Sequence, residues 1–206
     1  MSQPVLYMPT LYMIAGPNGS GKTTTAMKLL PKFLNVYEFI NADEIARGLN
    51  PLNPEGQAIT AGKIMLKRLD SLIAAKKSFA FESTGSSLGF AKKIKIAKQQ
   101  GYKICLVFLW LPNVDFAKSR VKMRVAQGGH NIPEADIKRR YHRGLKNLIG
   151  LYLPLADEAT LIDATTPWRD ARQIIADKHY TQWDVHQQDL WHKIEKIAGG
   201  RNDDNA

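Results

Sequence analysis

The sequence predicts an α/β fold in which a mostly parallel sheet of five strands lies between two layers of helices. Two observations lead to this prediction. Short apolar segments alternate with longer helical ones, as expected for parallel strands joined by right-handed helical crossovers. A glycine-rich loop at residues 16–23 also joins the first predicted strand to the first predicted helix. Because 206 residues suit one sizeable domain, we expect residues 1–206 to form a single domain.

The five strands are predicted from short, apolar stretches at 11–15, 36–40, 79–82, 102–111 and 160–163. Between the second and third strands, Asn53, Pro54 and Glu55 give an N-cap, a proline at the first helical position and an acid in the first turn. Behind this start signal, apolar residues recur every three or four positions, which predicts a helix with one face on the sheet. They are Ala58, Ala61, Met65, Leu69, Leu72 and Ile73.

The region after the last predicted strand is expected to be helical, because Thr166 and Pro167 repeat the helix start signal. The large apolar residues of this region are Trp168, Ile174, Ile175, Trp183 and Trp191. We expect the tryptophans to pack in the interior, since large aromatic side chains are mostly buried. Residues 199–206 are rich in glycine and polar residues, which predicts a flexible C-terminal tail.

Composition excludes several classes of protein. Hydrophobic residues make up 44% of the chain and charged residues 23%, which excludes a disordered or low-complexity protein. The longest apolar run, residues 104–111, is far shorter than the roughly 20 residues that span a bilayer, so we expect no membrane span. Cys105 is the only cysteine and lies in that run, which predicts a core residue and no internal disulfide. Pro4 and Pro9 interrupt the apolar N-terminal stretch, so we expect a cytoplasmic protein without a secretory signal.

Residues 16–23 match G-x-x-x-x-G-K-[ST], the pattern of a phosphate-binding loop (P-loop), in the strand-to-helix context that the motif requires. Average residue usage gives roughly 0.007 chance matches in such a chain, so the motif is strong evidence for nucleotide binding. Glycines let the loop turn its N–H groups toward a phosphate at the helix N-terminus. Lys22 is expected to reach the β- and γ-phosphates of ATP, and Thr23 to bind Mg²⁺. The expected ATP-binding residues of the loop are Gly16, Asn18, Gly19, Ser20, Gly21, Lys22, Thr23 and Thr24.

Two carboxylates follow predicted strands: Asp43 comes after the second strand, and Glu82 ends the third. Ligands of open parallel sheets lie beyond the carboxyl ends of the strands, so both side chains are expected at one site. Asp43 is our candidate for the base that accepts the proton of an attacking hydroxyl, and Glu82 for a ligand of the substrate or of a metal-bound water. Structural alternatives stay open, with Asp43 as the N-cap of a helix that starts at Glu44 and Glu82 as an ion-paired structural carboxylate.

The net charge of +10 favours a polyanionic ligand, and residues 118–143 alone carry +6 of it. Arg120 and Arg124 are four residues apart, and so lie on one face of a helix that begins after Asn113. The next helix carries Arg139, Arg140 and Arg143. Cations are needed around a phosphoryl group in transfer, and a glycine turn joins the two helices. Residues 113–150 are therefore predicted to form a basic lid that closes over ATP and excludes water.

Two other interpretations of these basic helices stay open: a solvated helical hairpin and a nucleic-acid groove. Aromatic residues that could stack on bases are few here, with only Phe116 and Tyr141 near the arginines. His130, in the turn, fits a helix cap better than a proton carrier or metal ligand, because no second ligand stands at zinc-like spacing.

The chain resembles the compact branch of the zeta-toxin family of P-loop kinases over roughly residues 11–165. The resemblance rests on the P-loop, on residues 41–46 and 81–84, on the Arg120–Arg124 pair with the turn 128–133, and on residues 152–157. It implies phosphorylation of UDP-N-acetylglucosamine on a sugar hydroxyl, with Lys22 and Asp43 as catalytic residues and a helical antitoxin as partner. It further implies that Glu82, with Ser83 and Thr84, contacts the sugar. Arg124 and Arg140 best match the lid arginines that touch the phosphates, while Arg120 and Arg139 are competing candidates and Arg120 is assigned to ATP.

The leading hypothesis is therefore a cytoplasmic kinase that uses Mg²⁺ and ATP to phosphorylate a small hydroxylated molecule, most simply UDP-N-acetylglucosamine or a related nucleotide sugar. The alternative is an ATP-gated module that binds RNA or another polyanion and uses hydrolysis as a switch. The net charge favours the alternative, and the placement of the carboxylates favours the kinase.

Overall fold

The computed structural model describes residues 8–129, 131–166 and 172–199. Its strands are β1 (Thr10–Ala15), β2 (Phe39–Ile40), β3 (Phe79–Ser83), β4 (Lys103–Trp110), β5 (Glu158–Asp163), β6 (Ile174–His179) and β7 (Gln182–Val185). They form one sheet in the order β2-β3-β1-β4-β5-β6-β7. The first five strands are parallel, whereas β6 and β7 form an antiparallel hairpin along β5. The predicted α/β class and mostly parallel sheet are thus confirmed.

The helices of the described residues connect the first five strands, except α8, which follows β7. They are α1 (Lys22–Leu29), α2 (Ala42–Leu49), α3 (Ala58–Ala74), α4 (Gly89–Gln99), α5 (Val114–Ala126), α6 (Glu134–Asn147), the single turn α7 (Leu153–Leu155) and α8 (Gln188–Ala198). Wider turns of the π type extend α1 through Leu30–Leu34 and α6 through Leu148–Tyr152. Among the helices of the described ranges, none is both long enough and apolar enough to cross a membrane.

Alternation along the central strands divides the core between the two faces of the sheet. Leu11 and Met13 of β1 face the larger core cluster, which includes buried residues of α3, α4 and α6. Ile14 of the same strand faces a smaller cluster that α1 covers with Ala26 and Leu30. The sheet therefore lies between two helical layers of unequal size, as the predicted three-layer fold requires.

The expected five strands are all present, but some bounds differ. The second strand is only two residues long, so Val36 lies outside it, although its side chain is buried. The helix predicted after Asn53 begins as a tight turn at Glu55–Gln57 and continues as α3. Its apolar stripe is buried except at Ala58, which is exposed at the start of the helix.

The C-terminal region contradicts the expectation of continuous helix. Ile174 starts β6, Trp183 lies in β7, and only Gln188–Ala198 is helical. Pairing with β5 explains the difference, because Ile175 becomes fully buried only when this segment adds to the sheet. Trp183 remains 40% exposed and contacts Trp191 at 5.0 Å between ring centroids, so its packing is partial. Pro167, Trp168 and most of the predicted tail lie outside the described residues.

The thiol of Cys105 is buried in β4, as predicted. Burial raises its pKa to about 12, and the nearby Glu158 carboxylate acts in the same direction. The side chain is therefore a core residue that is protonated at neutral pH.

Candidate active site

The P-loop connects β1 to α1 through glycines that no other residue could replace without strain. Gly16 has φ +146°, and a Cβ on it would lie 2.4 Å from the carbonyl oxygen of Leu109. Gly19 has φ +81°, and its Cβ would lie 2.7 Å from the Cβ of Arg120 on α5. The loop therefore bends back against the end of β4 and the middle of α5, which fixes its backbone at the carboxyl edge of the sheet.

Two polar atoms of the loop are buried without a hydrogen-bond partner among the described residues: Oδ1 of Asn18 and Oγ of Ser20. A buried polar group that lacks a partner costs about 1–3 kcal/mol, so such atoms indicate a missing ligand. The Ser20 hydroxyl can donate to a phosphate oxygen, whereas Oδ1 of Asn18 is an acceptor and needs a donor from elsewhere. The loop thus fits the phosphates of a nucleotide.

Lys22 is the first residue of α1 and is buried at the centre of the site. Its Nζ donates to the carbonyl oxygen of Pro17 at 3.0 Å and lies 4.0 Å from Oε1 of Glu82. Burial lowers the pKa of the ammonium group, and the Glu82 carboxylate opposes that shift. A ligand anion would therefore relieve the cost of keeping this cation out of water.

Glu82, near the end of β3, accepts hydrogen bonds from two neighbouring elements. Its Oε2 accepts from Thr23 Oγ1 at 2.8 Å and from Asn41 Nδ2 at 3.0 Å. Burial raises the pKa of this carboxyl, although the Lys22 charge acts to lower it. The alternative of Glu82 as an ion-paired structural carboxylate is thus correct in part. The carboxylate faces Lys22, but it also accepts a hydrogen bond from Thr23, the proposed Mg²⁺ ligand.

The cap of α2 is Asn41 and not Asp43. Asn41 has extended backbone angles, and its Oδ1 accepts a hydrogen bond from the N–H of Asp43 at 2.8 Å. Asp43 is therefore the second residue of the helix, where its side chain is exposed and has no capping role. The alternative that explained Asp43 as an N-cap is wrong, and the carboxylate lines a cavity instead.

Two cavities meet at the P-loop. The first, of about 410 Å³, extends from Lys22 past Gly21 and Thr24. It ends at the side chains of Arg120, in α5, and Gln127, the residue after this helix. The second, of about 260 Å³, lies on the other side of Lys22, where its polar lining includes Asp43, Ser83 and Thr84. Five residues line both cavities: Gly19, Lys22, Thr23, Glu82 and Arg124. A ligand in one cavity would thus contact a ligand in the other beside Lys22.

The hydroxyls of Ser83 and Thr84 already have local partners. Ser83 Oγ accepts from the N–H of Gly85 at 3.0 Å, and Thr84 Oγ1 lies 2.8 Å from Ser86 Oγ. These contacts hold the loop after β3 in place along the second cavity, whose apolar side is formed by Ala58, Met65 and Phe90.

The predicted lid arginines divide between the two cavities. Arg120 lines only the first cavity, where its guanidinium also lies 5.2 Å from the centre of the Phe116 ring and donates to the carbonyl oxygen of Thr165. Arg124 lines both, and Arg140 lines only the second. Arg139 is exposed and paired with Asp136 at 2.7 Å, and it lines neither cavity.

The two arginine helices are anchored to the rest of the site. α5 meets the P-loop at Gly19, and α6 meets the loop after β3 at Gly144, whose Cβ would lie 2.7 Å from the carbonyl oxygen of Thr84. Tyr141 Oη donates to the carbonyl oxygen of Leu111 at 2.9 Å, and Asn147 Nδ2 donates to that of Gly85 at 2.9 Å. His130, in the turn between the helices, lies outside the described residues.

A family model described as an AAA domain, AAA_33, matches residues 11–146. These residues include the P-loop, both carboxylates and the two arginine helices. The chain belongs to the AAA_33 family. A relative of this AAA_33 protein, an uncharacterized protein from Haemophilus influenzae, is 35% identical over 128 residues, which cover 61% of this chain and 88% of the relative.

Solved structures share the fold of this AAA_33 protein. The AvrRxo1-ORF1 complex with ORF2 and ATP matches with a TM-score of 0.69 at 19% identity, over 93% of this chain. This chain spans only 64% of the AvrRxo1 chain that it matches. The PezAT toxin–antitoxin system of Streptococcus pneumoniae matches with a TM-score of 0.61 at 15% identity, over 97% of this chain and 88% of that one. Together with the family match, these likenesses confirm the predicted P-loop fold and the resemblance of this fold to that of the PezAT toxin–antitoxin system.

Sequence reasoning missed three features of the AAA_33 site. Asn41 caps a helix and also donates a hydrogen bond to Glu82. Its position directly after the second predicted strand is a sequence signal that could have identified it. Met65 and Phe90 form part of the apolar side of the second cavity, but only the packing of α3 and α4 brings them together. Arg172 lies beside the P-loop after β5, and no local pattern marks it.

Proposed function

We propose that this AAA_33 protein is an ATP-dependent kinase that transfers the γ-phosphate of ATP to a hydroxyl of a small molecule. The observation that supports the proposal most is the pair of cavities that share Lys22 and Arg124, with Asp43 on the wall of only one of them. A nucleotide site alone would serve an ATPase or a switch. A second, adjoining cavity that has its own carboxylate is what a phosphate acceptor requires.

ATP would occupy the first cavity with its β-phosphate in the P-loop, bound by N–H groups of the loop and by Lys22. Arg120 would lie along the nucleotide, and Arg124 would reach the γ-phosphate from α5. Thr23 would bind Mg²⁺ through its hydroxyl, and Glu82 would bind the same ion or a water on it. Thr23 Oγ1 and Glu82 Oε2 are 2.8 Å apart, and hard cations prefer oxygen ligands. When bound, Mg²⁺ supplies charge neutralisation at the β- and γ-phosphate oxygens.

The acceptor would occupy the second cavity. Asp43 would take the proton of its hydroxyl as the oxygen attacks the γ-phosphorus, and the bond to the bridging oxygen would break to release ADP. Arg124 and Arg140 would stabilise the charge on the transferred group. Glu82, Ser83 and Thr84 would bind the acceptor hydroxyls, while Met65 and Phe90 would pack on an apolar face such as that of a sugar ring.

The finer assignment is a zeta-toxin-type kinase of UDP-N-acetylglucosamine or a related nucleotide sugar, acting in the cytoplasm. Its support is the sequence resemblance together with the toxin–antitoxin system among its structural relatives. A helical antitoxin is the corresponding protein partner, and AvrRxo1-ORF1 is likewise found in complex with ORF2.

The test is phosphorylation of an acceptor by the purified protein with Mg-ATP, first with UDP-N-acetylglucosamine and then with a metabolite extract analysed by mass spectrometry. A kinase would form a new phosphorylated compound and ADP in equal amounts, and Lys22→Ala would abolish both. The second candidate, an RNA-responsive ATPase, would release inorganic phosphate and respond to RNA. Internal pairing weakens it, because Lys118 and Lys122 both contact Glu134 and Arg139 contacts Asp136. ATP use that leaves phosphate on no acceptor would contradict the kinase.

A further inference from the structure

Arg172 lies beside the P-loop but comes from a distant part of the chain. It precedes β6, the first strand of the C-terminal hairpin, and lies outside residues 11–146 that match the AAA_33 model. Its side chain is half-buried. The hairpin therefore brings to the nucleotide site a cation that the matched part of the family does not supply.

The contacts of Arg172 place it on the start of α1. Its Nη1 donates to Thr25 Oγ1 at 3.3 Å, and its Nε donates to the carbonyl oxygen of Thr166 at 3.2 Å. Its Nη2 lies 3.4 Å from the position that a Cβ of Gly21 would take. Gly21 is the last loop residue before the helix and lines the first cavity with Thr24. The guanidinium of Arg172 thus lies where the P-loop meets the N-terminus of α1.

A second guanidinium approaches the same loop from α5. The Cβ of Arg120 lies 2.7 Å from the Cβ position of Gly19, and its guanidinium donates to Thr165, one residue before the carbonyl that Arg172 contacts. Burial lowers the pKa of Arg172 and the Arg120 charge lowers it further, while the Asp163 carboxylate acts in the opposite direction. A bound anion would add to the stabilisation of these two cations beside the loop.

We propose that Arg172, together with Arg120, binds the α-phosphate of the nucleotide, an inference that rests on the proposed function. Lys22 is assigned to the β- and γ-phosphates, so the α-phosphate would lie farther out, toward Gly21 and Thr24, which line the first cavity together with Arg120. Arg172 lies beside Gly21 at this end of the loop. The C-terminal hairpin is then part of the nucleotide site and more than an extension of the sheet.

The test is titration calorimetry of Mg-ADP, which carries the α-phosphate and cannot be turned over, on wild-type protein, Arg172→Gln, Arg172→Lys and Thr25→Val. A hydrogen-bonded charge at a half-exposed site predicts about tenfold weaker binding for Arg172→Gln and a smaller dependence of affinity on salt. Arg172→Lys, which keeps the charge, is expected within about threefold of wild type. The matched control is Arg68→Gln, whose parent side chain is exposed and pairs with Glu38; it should bind as wild type does.

Thr25→Val tests for a purely structural tie, because it removes the hydroxyl that contacts Arg172 and also donates to the carbonyl oxygen of Gly21, and it keeps the guanidinium. It should lose less affinity than Arg172→Gln in proteins whose melting temperatures show them to be folded. Affinity within twofold of wild type for Arg172→Gln, or an equal loss for Thr25→Val, would overturn the inference. If Arg172→Gln does not fold, Arg172→Met is titrated in its place, and affinity within twofold of wild type for folded Arg172→Met would overturn it. Wild-type protein that binds no Mg-ADP would instead contradict the proposed function itself.

Discussion

Replacing Asp43 with asparagine separates its proposed chemistry from any structural role. The structure makes the change clean, because Asn41 caps α2 and Asp43 is an exposed residue in the first turn. Asparagine has nearly the same shape as aspartate but cannot accept the proton of the attacking hydroxyl. A nearby control is Glu44→Gln, which removes the neighbouring first-turn charge, one that pairs with Arg47 at 2.8 Å.

The expected effects on stability and activity differ by orders of magnitude. An acid in the first turn of an exposed helix contributes about 0.3–1 kcal/mol through the helix dipole. For a domain of this size, such a loss lowers the melting temperature by about 1–4 °C. Loss of a general base lowers the rate of phosphoryl transfer by about 10²- to 10⁴-fold. Mg-ADP affinity should hold within about twofold, since Asp43 lines only the second cavity.

The assay is single-turnover phosphorylation of the acceptor identified by mass spectrometry, with thermal melts and Mg-ADP titrations on the same preparations. Glu44→Gln should melt like Asp43→Asn and keep its rate within about threefold of wild type. A folded Asp43→Asn protein with wild-type rates would refute the assignment of Asp43 as the base. Equal losses in both variants would show that the charge of the first turn matters, and not the proton acceptor.

Three further predictions concern the frame of the site. Asn41→Ala should lower the free energy of unfolding in urea by about 1–3 kcal/mol, because a helix cap and a donor to a buried carboxylate are lost together; a change below about 0.5 kcal/mol would contradict this role. Gly16→Ala should lower the free energy of unfolding by at least about 2 kcal/mol, because of backbone strain and the clash with Leu109. Gly62→Ala, in open space on α3, should raise the free energy of unfolding by about 0.5–1 kcal/mol. With a pKa of about 12, the Cys105 thiol should react with a disulfide reagent at pH 8 about a hundredfold more slowly than free cysteine, because its smaller thiolate fraction outweighs the greater nucleophilicity of a more basic thiolate. Its own rate should rise about tenfold from pH 8 to pH 9, and native reactivity equal to that of unfolded protein would count against its burial.

Much of the nucleotide side of the site follows from local sequence signals. The P-loop carries its own turn chemistry, and its flanking strand and helix have clear apolar patterns, so 16–24 could be placed without any tertiary information. Asn113, predicted as the residue before α5, is its N-cap, and its Oδ1 accepts from the N–H of Phe116 at 2.8 Å. Arg120 and Arg124 were expected on one face of this helix because they are four residues apart.

The remaining features depend on contacts between distant segments. Asn41 and Asp43 are equally good capping residues, and only the backbone angles of the folded chain select Asn41. The β6–β7 hairpin is stabilised by pairing with β5. The sequence signal at Thr166 and Pro167 instead predicts a helix, so the hairpin could not be predicted from its own segment. Arg172 reaches the P-loop through that hairpin, so no pattern within its own segment could have marked it.

The anchoring of α5 at Gly19 and of α6 at Gly144 bears on how the site is assembled. The absence of a side chain at these two glycines lets each helix pack directly on the loop beneath it. The helices that carry the arginines therefore lie against the same loops that form the two cavities. Arg124 and Arg140 stand ready before any nucleotide arrives, so little reorganisation is left for the moment of transfer.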